Sequence, residues 1–297
     1  MTRRYPFLLL ACASLWGSSY LFIKVGVRDL SPAVLVEIRL LVAAPLVLAF
    51  AAATYGLRAV LDAWRPGLVL GAVNAAIPFT LIAWGEKHVD SGVAAVANSS
   101  VPIFVAVLAI WFAPSQRSTG LRLVGVLLGL AGVGLLAGLH PAGGWMGAAG
   151  TGAITIASIS YAAANLYAGK KMSSTGAPVL AAASFVMAFL LILPLALLSL
   201  PEQAPGWKSV GSGVALGLLG TALAQVLAYR MVRLYGSAKT VLVAYLLPPF
   251  ALFYGAVLLG EPVTLQKLGG LALILGGVAL GAGAVRLPRR TAVTRAP

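Results

Sequence analysis

Acidic residues are scarce in this chain. Seven Asp and Glu stand against 21 Lys and Arg, and charged residues of either sign make up only 9% of 297 positions. A water-soluble domain of this size cannot hold a hydration layer over its surface with so few charges, which excludes a soluble globular fold. The one cysteine, Cys12, lies inside an apolar run, so neither a disulfide framework nor a cysteine metal site is available. The two histidines, His88 and His140, fall in connecting segments and lack metal-ligand spacing. No G-x-x-x-x-G-K-S/T loop and no H-E-x-x-H pair is present. The chain is therefore expected to use no cofactor or metal, to spend no ATP, and not to be an enzyme.

What is present is apolar: 60% of residues are hydrophobic and the mean hydropathy is +0.98. A helix needs roughly 20 apolar residues to cross ~30 Å of hydrocarbon. Ten such spans are read at Pro6–Val25, Pro32–Thr54, Pro66–Gly85, Ser91–Phe112, Leu121–Leu139, Gly147–Gly169, Pro178–Ser199, Gly211–Arg233, Ala238–Leu259 and Lys267–Val285. The fold class expected is an all-α membrane protein. Thr2–Phe7 faintly resembles a twin-arginine signal, and Leu9–Cys12 a lipoprotein box. The apolar run continues through both to about Val25, so an uncleaved first helix is expected.

Charge placement tests the count. With the N-terminus in the cytoplasm and loops assigned alternately, the inner side holds fifteen cations and one acid, Asp62, while the outer side holds six of each. The whole net charge of +14 falls on one side, as the positive-inside rule expects. Both termini are thus expected in the cytoplasm. The cations are spread over short inner segments and mark topology, so no nucleic-acid partner is expected; the tail 286–297 can meet anionic headgroups.

Residues Arg122–Gly138 recur as Lys267–Gly283, with nine of seventeen positions identical at an offset of 145. An offset of 146 pairs Ser91 with Ser237, Pro102 with Pro248 and Phe104 with Phe250. Five spans per copy is an odd number, so the copies lie upside down relative to each other: two inverted five-helix repeats, 1–141 and 142–285, followed by a basic cytoplasmic tail. Inverted repeats belong to transporters.

Polar and aromatic side chains within spans are costly in lipid unless they face protein or a water-filled cavity. Trp16, Ser19 and Tyr20 share one face of the first span, Ser158, Tyr161 and Asn165 one face of the sixth, and Thr221, Gln225 and Tyr229 one face of the eighth. The fourth span carries Asn98, Ser99 and Ser100, and the ninth Tyr245. The repeat offset pairs Trp16 with Tyr161, Phe79 with Gln225, Ala75 with Thr221 and Ser99 with Tyr245. One central cavity is expected, lined by Trp16, Ser19, Tyr20, Phe79, Asn98, Ser99, Tyr161, Asn165, Gln225 and Tyr245. With no charge at mid-membrane, it would suit a small neutral or zwitterionic solute. Pro102 and Pro248, equivalent by the offset, are candidate hinges. Arg39 and Glu37, with Lys24, are candidate members of an outer gate, although snorkelling is the simpler account of Lys24. Trp64, Trp111 and Trp207 read as interfacial anchors. Small residues at Gly125/Gly129, Gly134/Gly138 and Gly277/Gly281 favour packing of spans five and ten within the monomer over a dimer interface. A monomer or weak homodimer is expected.

Trp16-Gly17-Ser18-Ser19-Tyr20 with Lys24, the Arg39 of the second span, and Gly260-Glu261-Pro262 ahead of Leu268-Gly269-Gly270 resemble the EamA-type branch of the drug/metabolite transporter superfamily, over about residues 6–285. The resemblance implies a cavity lined by spans one, three, four, six, eight and nine, with five and ten at the periphery. It implies a bacterial inner-membrane exporter of amino acids and related metabolites, aromatic ones included, working by alternating access. A multidrug or nucleoside/sugar carrier on the same scaffold, or a non-transporting component such as a lipid-handling enzyme, are the competing expectations. With no buried acid in sight, a facilitator or exchanger fits better than tight proton coupling. The first copy departs from the pattern in carrying Gln116 where the second has Glu261.

Overall fold

The computed structural model describes residues 4–112, 121–137, 144–171, 175–240 and 242–281, and every regular element among them is helical. Gln116, the linker 140–143, the repeat boundary and the basic tail lie outside these residues. The long helices are α1 (Arg4–Gly26), α2 (Pro32–Tyr55), α3 (Trp64–Glu86), α4 (Ser91–Phe112), α5 (Leu121–Ala137), α6 (Gly144–Lys171), α7 (Ala177–Leu198), α8 (Trp207–Tyr235), α9 (Val243–Leu259) and α10 (Leu265–Gly281). Six of them, α1–α4, α7 and α8, are long and apolar enough to cross a bilayer. Most of α5, and α9 and α10, are apolar but shorter. The 28-residue α6 has the length but not the hydropathy, because Thr151, Thr155, Ser158, Ser160, Tyr161 and Asn165 interrupt its apolar run. The ninth expected span is divided: a short helix, Ser237–Thr240, precedes α9.

Local sequence accounts for the ends. Ser31 caps α2 by accepting the Val34 N–H at 3.3 Å, and Pro32 opens its first turn, where a missing N–H costs nothing. Gly260 stops α9 in the left-handed region at φ 69°, which a side-chain-bearing residue reaches only under strain. The next N–H, of Glu261, returns to the Gly255 carbonyl at 3.0 Å.

The same packing recurs in both halves. α1 packs on α8 and α9, as α6 packs on α3 and α4, while α2 packs on α7 and α5 on α10. Both α3 and α8 are interrupted by a six-residue π segment, Gly71–Ala76 and Leu218–Leu223, at nearly equivalent positions of the repeat. In each, a backbone N–H reaches five residues back, Ile77 to Ala72 and Ala224 to Leu219, which rotates the side chains that follow.

Glycines set the closest approaches. A Cβ at Gly277 on α10 would meet the Gly125 carbonyl oxygen of α5 at 2.5 Å and the Gly129 nitrogen at 2.7 Å. Spans five and ten thus pack backbone to backbone within the chain. Gly134 faces open space and takes no part. Trp64, Trp111 and Trp207 are exposed near helix ends, where interfacial anchors belong.

Candidate functional site

A cavity of about 380 Å³ lies among α1, α2, α3, α4, α6, α7, α8 and α9. The structure brings Trp16, Ser19, Tyr20, Phe79, Asn98, Tyr161, Asn165 and Gln225 to its wall. Two repeat-related pairs, Trp16 with Tyr161 and Phe79 with Gln225, thus meet there. Asn98 is the junction of three helices: its Nδ2 donates to the Tyr20 hydroxyl at 2.8 Å, and its Oδ1 accepts from Ser158 Oγ at 3.2 Å. Ser160 ties α6 to α3 by donating to the Val73 carbonyl at 2.7 Å. Hydrogen bonds of this kind between helices hold their members in one geometry.

Ser99 and Tyr245 are not among the lining residues. Ser99 sits in the turn that separates the two helical segments of α4, and its hydroxyl turns back to the Ala95 carbonyl at 2.8 Å. Tyr245 is half-buried against the core in the first turn of α9. The two candidate hinges are also placed differently. Pro102 is the second residue of the new segment, a position that removes no helical hydrogen bond, whereas Pro248 lies inside α9.

Arg39, Glu37 and Lys24 do not pair with one another as a gate would require. Glu37 and Arg39 are two residues apart on α2 and point to different sides of it. Arg39 instead lines the cavity: it is 8% exposed, its Nε donates to Thr221 Oγ1 at 2.8 Å, and its guanidinium carbon lies 3.4 Å from the Phe79 ring centroid. The expectation of an uncharged cavity is therefore corrected. Lys24 does not snorkel. Its ammonium donates to the carbonyls of Glu86 and Val89 at 2.7 and 2.8 Å, where the C-terminal end of α3 presents partial negative charge.

Carboxyl groups are buried after all. Glu86 is 0% exposed, and neither its carboxylate oxygens nor those of Glu37 have a hydrogen-bond partner. Glu86 lies one turn beyond Ile82, a lining residue, on the same face of α3. This removes the ground for preferring a facilitator over proton coupling.

The end of the bundle that carries Glu86 is tied together by polar contacts between helices. Glu261, aimed by the turn at Gly260, accepts the Ser91 N–H at 2.8 Å, the Ser91 hydroxyl at 2.9 Å and the Gly92 N–H at 3.2 Å, capping α4. Lys267 pairs with Asp90 at 2.7 Å, and Asp29 accepts from Ser209 Oγ at 2.7 Å and from the Gly206 N–H. Toward the opposite end, where α6 finishes in Lys170 and Lys171, Asn165 is exposed.

Residues that sequence reading did not single out for the wall include Asn74, Ile82, Phe185 and Leu247. Asn74 carried a signal, an amide in an apolar span. Phe185 carried none, because α7 has no polar face to orient it.

The sequence model of the EamA-like transporter family matches residues 3–138 and again residues 148–282. The chain belongs to the EamA-like transporter family. The two EamA matches begin at residues 3 and 148, the same 145-residue offset as the internal echo. An Escherichia coli K12 relative, the uncharacterized inner membrane transporter YedA, is 31% identical over 89% of this chain and 85% of its own length. A relative from Streptantibioticus cattleyicolor, named a probable terminal-alkyne amino-acid exporter, is 31% identical over 89% of each chain. One from Salmonella typhimurium, named a probable amino-acid metabolite efflux pump, is 28% identical over 98% of this chain and 99% of its own. A solved crystal structure superposes with a TM-score of 0.65 over 95% of this chain and 98% of that one, at 19% identity, which speaks for the fold alone. As an EamA-like protein with a bundle of apolar helices, the chain is a membrane transporter with a small-molecule substrate.

Proposed function

We propose that this EamA-like protein exports small neutral or zwitterionic metabolites, chiefly amino acids including aromatic ones, across the bacterial inner membrane by alternating access. The observation that carries the reading is the central cavity, whose wall is built from corresponding helices of the two matched segments and mixes aromatic rings with amides. Such a wall holds a small amphiphile by its polar groups and stacks its apolar part. The ten helices are two inverted five-helix repeats, 1–141 and 142–285, with both termini and the tail in the cytoplasm. The recurring contact pattern and the twin π segments support this arrangement. So does residue pairing at the ends: every tie at the Glu86 end joins residues that the charge rule places outside. On this reading the tied end is the closed, periplasmic one and the cavity opens to the cytoplasm, where an exporter loads; the exposure of Asn165 toward the opposite end supports it. The relatives named as amino-acid exporters support the substrate class.

Counterflow tests it. Purified protein in liposomes preloaded with unlabelled amino acids should accumulate at least one labelled amino acid against its gradient. No counterflow with any of the twenty sinks the substrate class, and lipid turnover by the same preparation would favour an enzyme. The cavity is tested separately. Gln225→Ala should raise KM roughly 2- to 10-fold, the worth of one hydrogen bond of about 0.5–1.5 kcal/mol. Tyr245→Ala, away from the wall, should transport with unchanged KM. Equal KM in both variants contradicts the assignment of the wall.

A further inference from the structure

Arg39 is a buried cation on the cavity wall that forms no ion pair among the described residues. Its Nε is committed to Thr221, and its plane lies against Phe79. Its terminal nitrogens donate no hydrogen bond among the described residues. The other lining side chains are aromatic, aliphatic, hydroxyl or amide, and none is acidic. None of the acids forms an ion pair with Arg39 among the described residues. Asp90 holds Lys267, Asp29 holds Ser209 and Gly206, and Glu261 caps α4. Glu37 points to another side of α2, and the Glu86 carboxylate has no hydrogen-bond partner. Removing an ion from water costs several kcal/mol unless a counter-charge and hydrogen bonds compensate. The stacking on Phe79 returns only about 2 kcal/mol of that. The lining itself supplies no negative charge to match Arg39.

We propose that the missing charge comes with the solute, and that Arg39 is the anchor for its carboxylate. The inference rests on the central cavity being the transport site. A guanidinium whose Nε is held and whose face is stacked keeps a rigid fork of N–H donors in one orientation, the geometry that binds a carboxylate through two parallel hydrogen bonds. One lone cation matches a carboxylate, with one charge, better than a phosphate ester with nearly two. The ammonium of an α-amino acid then meets the amide oxygens of the wall and the faces of Trp16 and Tyr161. Selection between an amino acid and its amide or amine follows from Arg39, and selection among side chains from the aromatic wall.

Binding and transport are measured on the same purified protein. Thermal stabilisation by each of the twenty amino acids is compared with that by its carboxamide and its decarboxylated amine, together with inorganic phosphate. The proposal expects at least one amino acid to stabilise the wild type at concentrations about tenfold or more below its amide and its amine. Arg39→Gln should lose that preference, and Arg39→Lys should keep part of it. The comparison between ligands uses the wild type, so it stands even if Arg39→Gln fails to fold. Amide and acid binding alike, stabilisation by no amino acid, phosphate binding in preference to every amino acid, or a folded Arg39→Gln that keeps the preference would each overturn the anchor. Carboxylate-dependent binding without counterflow supports the anchor while contradicting export.

Discussion

Glu261→Ala opens the sealed end of the cavity: an Ile23→Cys reporter in that background reacts with a membrane-impermeant maleimide added from outside about tenfold faster or more than with Glu261 in place. Ile23 lines the cavity and is 3% exposed. The carboxylate of Glu261 is the acceptor for three donors at the start of α4. Hydrogen bonds to a charged group are worth about 1.5–3 kcal/mol each, and water recovers part of the loss once the end opens. A net shift of about 1.4 kcal/mol between sealed and open states is tenfold in their ratio. Glu261→Gln keeps an acceptor oxygen without the charge, so its rate should fall between the two. Glu202→Ala, an exposed acid at the same end, serves as the control and should leave the rate unchanged. Equal reactivity in Glu261→Ala and the parent would show that the cap does not hold the seal.

The second large effect concerns the α5–α10 pair. Gly277→Leu forces a side chain into the space occupied by the Gly125 carbonyl and the Gly129 backbone. Neither can yield as a flexible side chain would. Overpacking of this kind costs about 1–3 kcal/mol and more where backbone must move, so Tm of the detergent-solubilised protein should fall by several degrees. A Cβ at Gly134 in α5 meets nothing within 4 Å, so Gly134→Leu, a substitution of equal size, should leave Tm unchanged. A lowered Tm or an altered oligomeric state in Gly134→Leu would place a partner copy on that face instead.

How far the sequence carried the account depends on the range of each interaction. Trp16, Tyr161, Phe79 and Gln225 were legible because helical periodicity and the repeat offset converge on them. Asn74 escaped because it lies in the π segment of α3, where a 3.6-residue period no longer predicts direction. Ser99 and Tyr245 were brought in by the offset, but the breaks do not match: α4 is interrupted at Ser99 and Ser100, and the ninth span several positions earlier in the repeat. An offset preserves residue identity better than it preserves side-chain direction. Lys24, Glu86 and Glu261 were invisible as a seal for another reason. Their contacts reach 62 to 170 residues along the chain and depend on how hairpins dock. Arg39 was noticed for its depth but read as a gate, because nothing local indicates that α2 carries it to Thr221 and Phe79.

The central claim is that solute occupies this cavity from the cytoplasmic side, and one reporter tests it. Asn165→Cys places a thiol at the exposed rim, while the native Cys12 is 0% exposed and silent. In inside-out vesicles the new thiol should react readily with an impermeant maleimide, and the amino acid that shows counterflow should protect it with a half-effect near its KM. In right-side-out vesicles the same reagent should react at least about tenfold more slowly. Faster labelling from outside, or full labelling from inside at saturating solute, would contradict the account.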